Sequence, residues 1–264
     1  MKAVVVIGLV TGLLLTTAGC SGDDDKGGSP AARASRSAQA AAVASSAAAV
    51  ATGDLNTAVQ ELTKTSYRYT LKAGDAAGGG TVDPSVKQSS LTVTIDADED
   101  FKTEVLILDT ELYVRISGLP LPGLDGQKWL KIDRSKIKSF SALGIQDVDD
   151  PSGVKTLSKT IATIQKTGDR SYKGTLDLTK GSTAFGLDEA AAKALGEKAK
   201  AVPFEATVNA QGKLATWKMT IPAHGTEKET PFELTYGEHG GKFPIDKPAG
   251  AVEPPAAVYD ILQA

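Results

Sequence analysis

Short runs of alternating apolar and polar residues dominate the chain from position 67 onward. Tyr67, Tyr69 and Leu71 alternate with Arg68, Thr70 and Lys72; Leu91, Val93 and Ile95 alternate with threonines; Leu112, Val114 and Ile116 alternate with Tyr113 and Arg115. A period of two buries one side of a strand and wets the other, so each run predicts a strand with a single core face. Val105, Leu106, Ile107 and Leu108 form an unbroken apolar run, which predicts a strand covered on both faces. Trp129 to Ile132 reads as a further short strand. Residues 172–178, 202–208, 214–221 and 232–236 complete a series of strands, with a turn at Gln211-Gly212.

Helical spacing interrupts this pattern in four places. Asp54 is placed to cap a helix carrying Leu55, Val59 and Leu62 on one face. Asp133 opens a second, with Ile137, Phe140 and Leu143. Asp150 and Pro151 match the N-cap and first helical position of a third, whose Val154, Leu157, Ile161 and Ile164 are spaced as one stripe. Residues 188–200 are alanine-rich and predict a fourth. Many consecutive antiparallel strands with a few inserted helices predict an α+β domain, one sheet being covered on one face by helices.

The first fifty residues have a different character. Lys2 precedes the apolar stretch from Ala3 to Leu15, which is too short to span a bilayer, and Thr17-Ala18-Gly19 leads directly into Cys20, the one cysteine of 264 residues. This resembles the lipobox of bacterial lipoproteins, with Thr17 where leucine is usual. The resemblance implies that residues 1–19 are a signal peptide and that Cys20 is lipidated and holds the chain on the outside of the cell membrane. A lone cysteine in an exported chain has no intramolecular disulfide to make. Residues 20–52 are almost entirely Ala, Ser, Gly and charged side chains, with Val43 and Val50 the only larger apolar ones. They read as a flexible tether, transiently helical at most between 38 and 51, with an r.m.s. span of about 30 Å. Residues 53–264 are then a single folded domain.

Leu112-Tyr113-Val114-Arg115, Lys128-Trp129-Leu130-Lys131-Ile132-Asp133, the strand ending Leu234-Thr235-Tyr236-Gly237 and the tail Ile245-Asp246-Lys247-Pro248 follow in an order similar to that of the LppX/LprG lipoproteins of actinobacteria and related LolA-like chains. The resemblance covers about residues 54–253. It implies a curved antiparallel half-barrel wrapped around helices, with an apolar cavity between them that carries acyl-chain lipids or lipoglycans without catalysis. The candidate wall of that cavity is Tyr67, Tyr69, Leu71, Leu91, Val93, Ile95, Leu112, Val114, Ile116, Trp217 and Met219. The Pro/Gly loop bearing Leu119, Leu121 and Leu124 is its candidate mouth. The alternative is a surface interaction or sensor lipoprotein of the same fold, acting through a membrane-protein partner.

Candidate chemistry is sparse. His224 and His239 both lie in turn composition, away from any second ligand at metal spacing, and read as solvated loop histidines. Asp96, Asp98 and Asp100 alternate as in a calcium loop, but Phe101 stands where that loop needs glycine and Ile107 where it needs glutamate, so an acidic hairpin tip is expected. Gly78-Gly79-Gly80 has no helix after it and reads as a loop. No nucleophile elbow, phosphate loop or dinucleotide fingerprint occurs, so neither an enzyme nor a cofactor is expected. A formal charge of −3 with no basic cluster gives nucleic acid nothing to bind.

Overall fold

A computed structural model describes residues 30–95, 101–118, 126–137, 140, 143, 145, 150–181, 187 and 189–263. The chain divides into two compact units, residues 1–42 and 43–264. The described part of the first is helical, being the beginning of helix α1 (Pro30–Leu62).

In the second unit α1 buries Ala51, Leu55, Ala58, Val59 and Leu62, a stripe of i, i+4, i+7, i+8 and i+11, while Val43 and Val50 remain 63% and 62% exposed. Asp54 is therefore inside a helix and not at its cap. Its carboxylate instead meets Lys166 Nζ at 3.3 Å and accepts from the Tyr172 hydroxyl at 3.5 Å.

Eleven strands build one sheet: β1 (Tyr67–Ala73), β2 (Ala76–Asp83), β3 (Gln88–Ile95), β4 (Phe101–Leu108), β5 (Glu111–Ser117), β6 (Leu130–Ile132), β7 (Ile161–Gly168), β8 (Ser171–Leu176), β9 (Val202–Val208), β10 (Leu214–Ile221) and β11 (Thr230–Gly237). The order across the sheet is β6-β5-β4-β3-β2-β1-β11-β10-β9-β8-β7, antiparallel throughout and not closed. Two meanders thus meet along β1 and β11, where Tyr69 faces Tyr236 and Leu71 faces Leu234.

Directly paired residues share a face, so the register settles which side chains look toward the core. Tyr69 pairs with Gly80, Gly80 with Leu91, Leu91 with Val105 and Val105 with Val114. Leu71 pairs with Leu234 and Leu234 with Trp217, which stacks on Phe204 at 4.7 Å with rings nearly parallel at 6°. Apart from Gly80, and with Leu71 packed against it from the side, these residues belong to one hydrophobic cluster with the buried stripe of α1.

Four local expectations need correction. The triple glycine is not a loop: Gly78, Gly79 and Gly80 pair on both sides within β2, and an added Cβ on Gly80 would strike the Ser90 carbonyl. The run from Val105 to Leu108 is not covered on both faces, since Val105 and Ile107 are 1% and 5% exposed whereas Leu106 and Leu108 are half-buried. The stripe from Val154 to Ile164 is not one helix. Helix α2 (Val154–Lys159) stops at Thr160, whose hydroxyl donates to Leu157 O, and Ile161 begins β7. A bulge between Ile161 and Thr163 adds one residue, which lets Ile161 and Ile164, three apart, both turn inward and imitate helical spacing. Asp133 opens only a 3-10 turn over Arg134–Lys136, accepting from the Ser135 amide at 3.0 Å and hydroxyl at 2.7 Å.

The alanine-rich segment is helix α3 (Glu189–Leu195) followed by a 3-10 stretch, Gly196–Ala201, with Gly196 at φ 55°. Helix α4 (Ala256–Gln263) buries Val258, Tyr259 and Leu262. The segment before it covers the β6 edge: Lys131 N donates to Val252 O at 2.8 Å, and Val252 N donates to Trp129 O at 2.9 Å. Lys247 crosses the other face of β5, its ammonium 5.9 Å from the Tyr113 ring and 2.8 Å from Glu111. That cover explains why Tyr113, which points away from Leu112 and Val114, is also fully buried.

Candidate functional site

All eleven wall residues expected from the sequence lie on the core face of the sheet. The pairings link Tyr67 through Val82, Ser89 and Ile107 to Leu112, Leu71 through Gly78, Val93 and Thr103 to Ile116, and Ile95 through Ala76, Ala73 and Phe232 to Met219. Their burial is uneven. Leu112, Val114 and Trp217 are at most 1% exposed, whereas Leu71 and Val93 are half-buried and Ile95 is 39% exposed. The Leu71, Val93, Ile95 end of the face is thus partly open. Gly78 and Gly80 leave two consecutive core-facing positions of β2 without side chains, between Tyr69 and Leu71 on one flank and Leu91 and Val93 on the other.

At the opposite end of β2 the core face meets a pocket of about 270 Å³. Leu62, Tyr67, Val82 and Ile107 give it apolar walls, and Asp83, Lys87, Asp109, Asp150 and Lys155 give it a polar rim. Lys87 and Asp109 are two of the non-glycine residues with left-handed backbone, at φ 52° and 55°, and they hold one another: Asp109 N donates to Lys87 O at 2.9 Å and their side chains pair at 3.6 Å. Strained backbone of this kind persists where its surroundings fix it.

Beside the pocket, three phenols gather under the turn that precedes α2. The Tyr67 ring lies 6.3 Å from Tyr69 and 5.9 Å from Tyr236, and its hydroxyl shares a hydrogen bond of 2.9 Å with Ser152 Oγ. The hydroxyls of Tyr69 and Tyr236 and the indole N–H of Trp217 are buried with no hydrogen-bond partner among the described residues. Ser152 is near enough to act on Tyr236, but not in hydrogen-bond geometry. Burial, and then the neighbouring phenols and Asp150, push the Tyr69 and Tyr236 hydroxyls far above their ordinary range, so both are neutral donors. Asp150 accepts from the amides of Lys155 and Thr156 and from the Thr156 hydroxyl, yet burial outweighs these bonds and raises its carboxyl above the usual value. It caps α2 from outside the helix, since Gly153 holds the N-cap position at φ 67°.

Sequence reasoning named Tyr67, Tyr69 and Trp217 as wall residues but missed Tyr236, Ser152 and the polar rim at this end of the site. Its phenols alternate like any core residues, and its rim comes from two hairpin turns and a helix cap far apart in the chain. The histidines also differ from expectation: His239 is half-buried with both ring nitrogens enclosed, and burial and Lys213 lower its pKa, while His224 is half-buried with Nδ1 3.0 Å from Pro222 O. Neither is a freely solvated loop residue. Among the described residues, no group of three or more His, Cys, Asp or Glu is placed to hold a metal ion. Cys20, the run Asp96, Asp98 and Asp100, and the leucines 119, 121 and 124 lie outside the described residues.

No family model matches the chain, and neither does any curated protein. Among solved structures, a DNA polymerase sliding clamp from Pseudomonas aeruginosa aligns at 8% identity over 73% of this chain and 64% of its own, with a TM-score of 0.12. A score that low is not a shared fold. No helix among the described residues is long and apolar enough to cross a membrane.

Proposed function

We propose that this is a lipoprotein anchored through Cys20 outside the cell membrane, whose sheet and helices form a half-barrel that binds and carries acyl-chain lipid without catalysis. The observation that carries the reading is the partly open core face: Leu71, Val93 and Ile95 stay accessible beside two positions of β2 that lack side chains. An acyl chain needs only apolar walls. Burying it gains about 0.8 kcal/mol per methylene, so a chain of about 16 carbons offers on the order of 10 kcal/mol before ordering costs. Lipid anchoring and lipid carriage serve one another, since the anchor keeps the domain where its cargo is.

Two measurements test the two halves of the proposal. Native mass spectrometry of the chain purified from its own membrane should show adducts of lipid mass; a clean apo spectrum would remove the carrier reading and leave an interaction protein acting through a partner. Metabolic labelling with a palmitate analogue should mark the wild type and not Cys20→Ser, and label on the variant would show that Cys20 is not the anchor.

A further inference from the structure

On the side of the sheet away from the core, β4 and β5 differ from their neighbours. Register puts Glu104 beside Arg115, Leu106 beside Tyr113 and Leu108 beside Glu111 on that face, with Lys131 next to Tyr113 and Lys102 two residues before Glu104. Leu106 and Leu108 are only half-buried, whereas other strand leucines such as Leu91, Leu112 and Leu234 face the core. Two carboxylates lie in this face, and two cations bridge each. Glu104 accepts from Arg115 Nε at 2.6 Å and is 3.2 Å from Lys102 Nζ; Glu111 is 2.8 Å from Lys247 Nζ and 3.0 Å from Lys131 Nζ. Four cations around two carboxylates leave an excess of two positive charges, and Lys128 and Asp246, next to this set in the chain, cancel one another. The carboxylates are 17% and 30% exposed and the cations 31% to 58%, so the positive ends are outermost, on a chain whose formal charge is −3. The two groups stand four residues apart along the strands, about 13 Å, with Leu106 and Tyr113 between them. The Arg115 guanidinium lies 4.8 Å from the Trp129 ring.

We propose that this face docks the folded domain onto an anionic lipid surface, with Lys102, Arg115, Lys131 and Lys247 meeting lipid phosphates while Leu106, Leu108 and the Trp129 ring settle at the headgroup boundary. Cations within a Debye length of an anionic leaflet are drawn to it, and indoles favour the interface between headgroups and hydrocarbon. Two cationic groups about 13 Å apart on one sheet face engage several headgroups at once. The leucines between them favour lipid over an acidic protein, because headgroups give way to hydrocarbon beneath. The membrane in question is the one that the Cys20 anchor supplies in the reading above, and the inference goes beyond that reading by naming the side of the domain that turns to it. In the sequence these cations are scattered from position 102 to 247, so no basic run announces them.

The test is flotation of the full-length chain carrying Cys20→Ser, which removes the acyl anchor, with phosphatidylcholine vesicles that contain either no phosphatidylglycerol or about 30% of it. The chain should bind the anionic vesicles about tenfold more tightly, and the difference should vanish as salt rises from about 50 to about 500 mM. Adding Lys102→Glu/Lys247→Glu should lower binding to the level of phosphatidylcholine alone. Lys72→Glu/Lys173→Glu, the same change of net charge on exposed lysines away from these strands, should leave it within about twofold. All variants share residues 1–19, so differences among them belong to the face. Where the reversed pair melts below the parent, Lys102→Gln/Lys247→Gln takes its place and should weaken binding about threefold. Equal loss in the two reversed pairs would overturn the face, since overall charge would then account for binding. Indifference to phosphatidylglycerol would overturn lipid as the occupant and leave an acidic protein in its place. Neither result touches the acyl-lipid reading or the anchor, which the mass spectrum and the palmitate label decide.

Discussion

Glu111 stands between two ammonium groups, Lys247 Nζ at 2.8 Å and Lys131 Nζ at 3.0 Å, and these hydrogen bonds lower its pKa to about 2. A carboxyl with a depressed folded pKa contributes stability above its unfolded value, and the contribution is lost as pH falls through the folded one. The window therefore runs from about 4.5 down to about 2. Carboxyl-carbon NMR should place the Glu111 midpoint near the lower figure, and Glu111→Gln should flatten acid-induced loosening of the C-terminal segment across that range; an ordinary glutamate midpoint would contradict the geometry. The sequence shows such residues only as charges. That Glu111, on one hairpin, meets Lys247, 136 positions away, depends on a tail that no periodicity announces.

The partly open face bears directly on substitutions that fill space. Val114 is fully buried and Val93 only half so, although both occupy core-facing positions. Val114→Trp should overpack a filled core and cost at least about 1 to 3 kcal/mol, whereas Val93→Trp should stay within about 1 kcal/mol of wild type and retain less co-purified lipid. Denaturant unfolding distinguishes them, and equal destabilisation would mean the face is closed along its length. Gly80→Val should be worse than either, because its Cβ meets the backbone of β3 and not a movable side chain; a soluble, cooperatively unfolding variant would contradict the β2 register. Most strands were legible because their residues alternate on an antiparallel sheet with one core face. Where the sequence misled, the cause was local geometry: a bulge gave Ile161 and Ile164 helical spacing, and glycines built a strand from residues whose usual place is a turn.

An open sheet of eleven strands has two edges, and they are treated differently. At β6 the tail pairs through Val252 and is then pinned by α4, with Tyr259 Oη accepting from Asp133 N at 3.0 Å. The other edge, β7, carries register shifts at both ends, which twist an edge away from straight pairing. Truncation after Pro255 removes the burial of Val258, Tyr259 and Leu262, up to about 1.5 to 3 kcal/mol for each, and loosens the cover of β6. Light scattering should then report association, together with a lower unfolding midpoint; a monomer of unchanged stability would show that α4 is dispensable.

The seam between β1 and β11 also sets an order of events. Tyr69 cannot meet Tyr236 until nearly the whole chain is available, whereas each meander on either side of the seam is built from neighbours in sequence. Closing so long a loop comes at an entropic cost that local hairpins do not face, so the two meanders are placed to form early and the seam last. Until it closes, β1 with Tyr69 and Leu71 on one meander and β11 with Leu234 and Tyr236 on the other are unfinished sheet edges. A chain synthesised from its N-terminus therefore has β1 waiting, and it completes its fold only after its final strand is made.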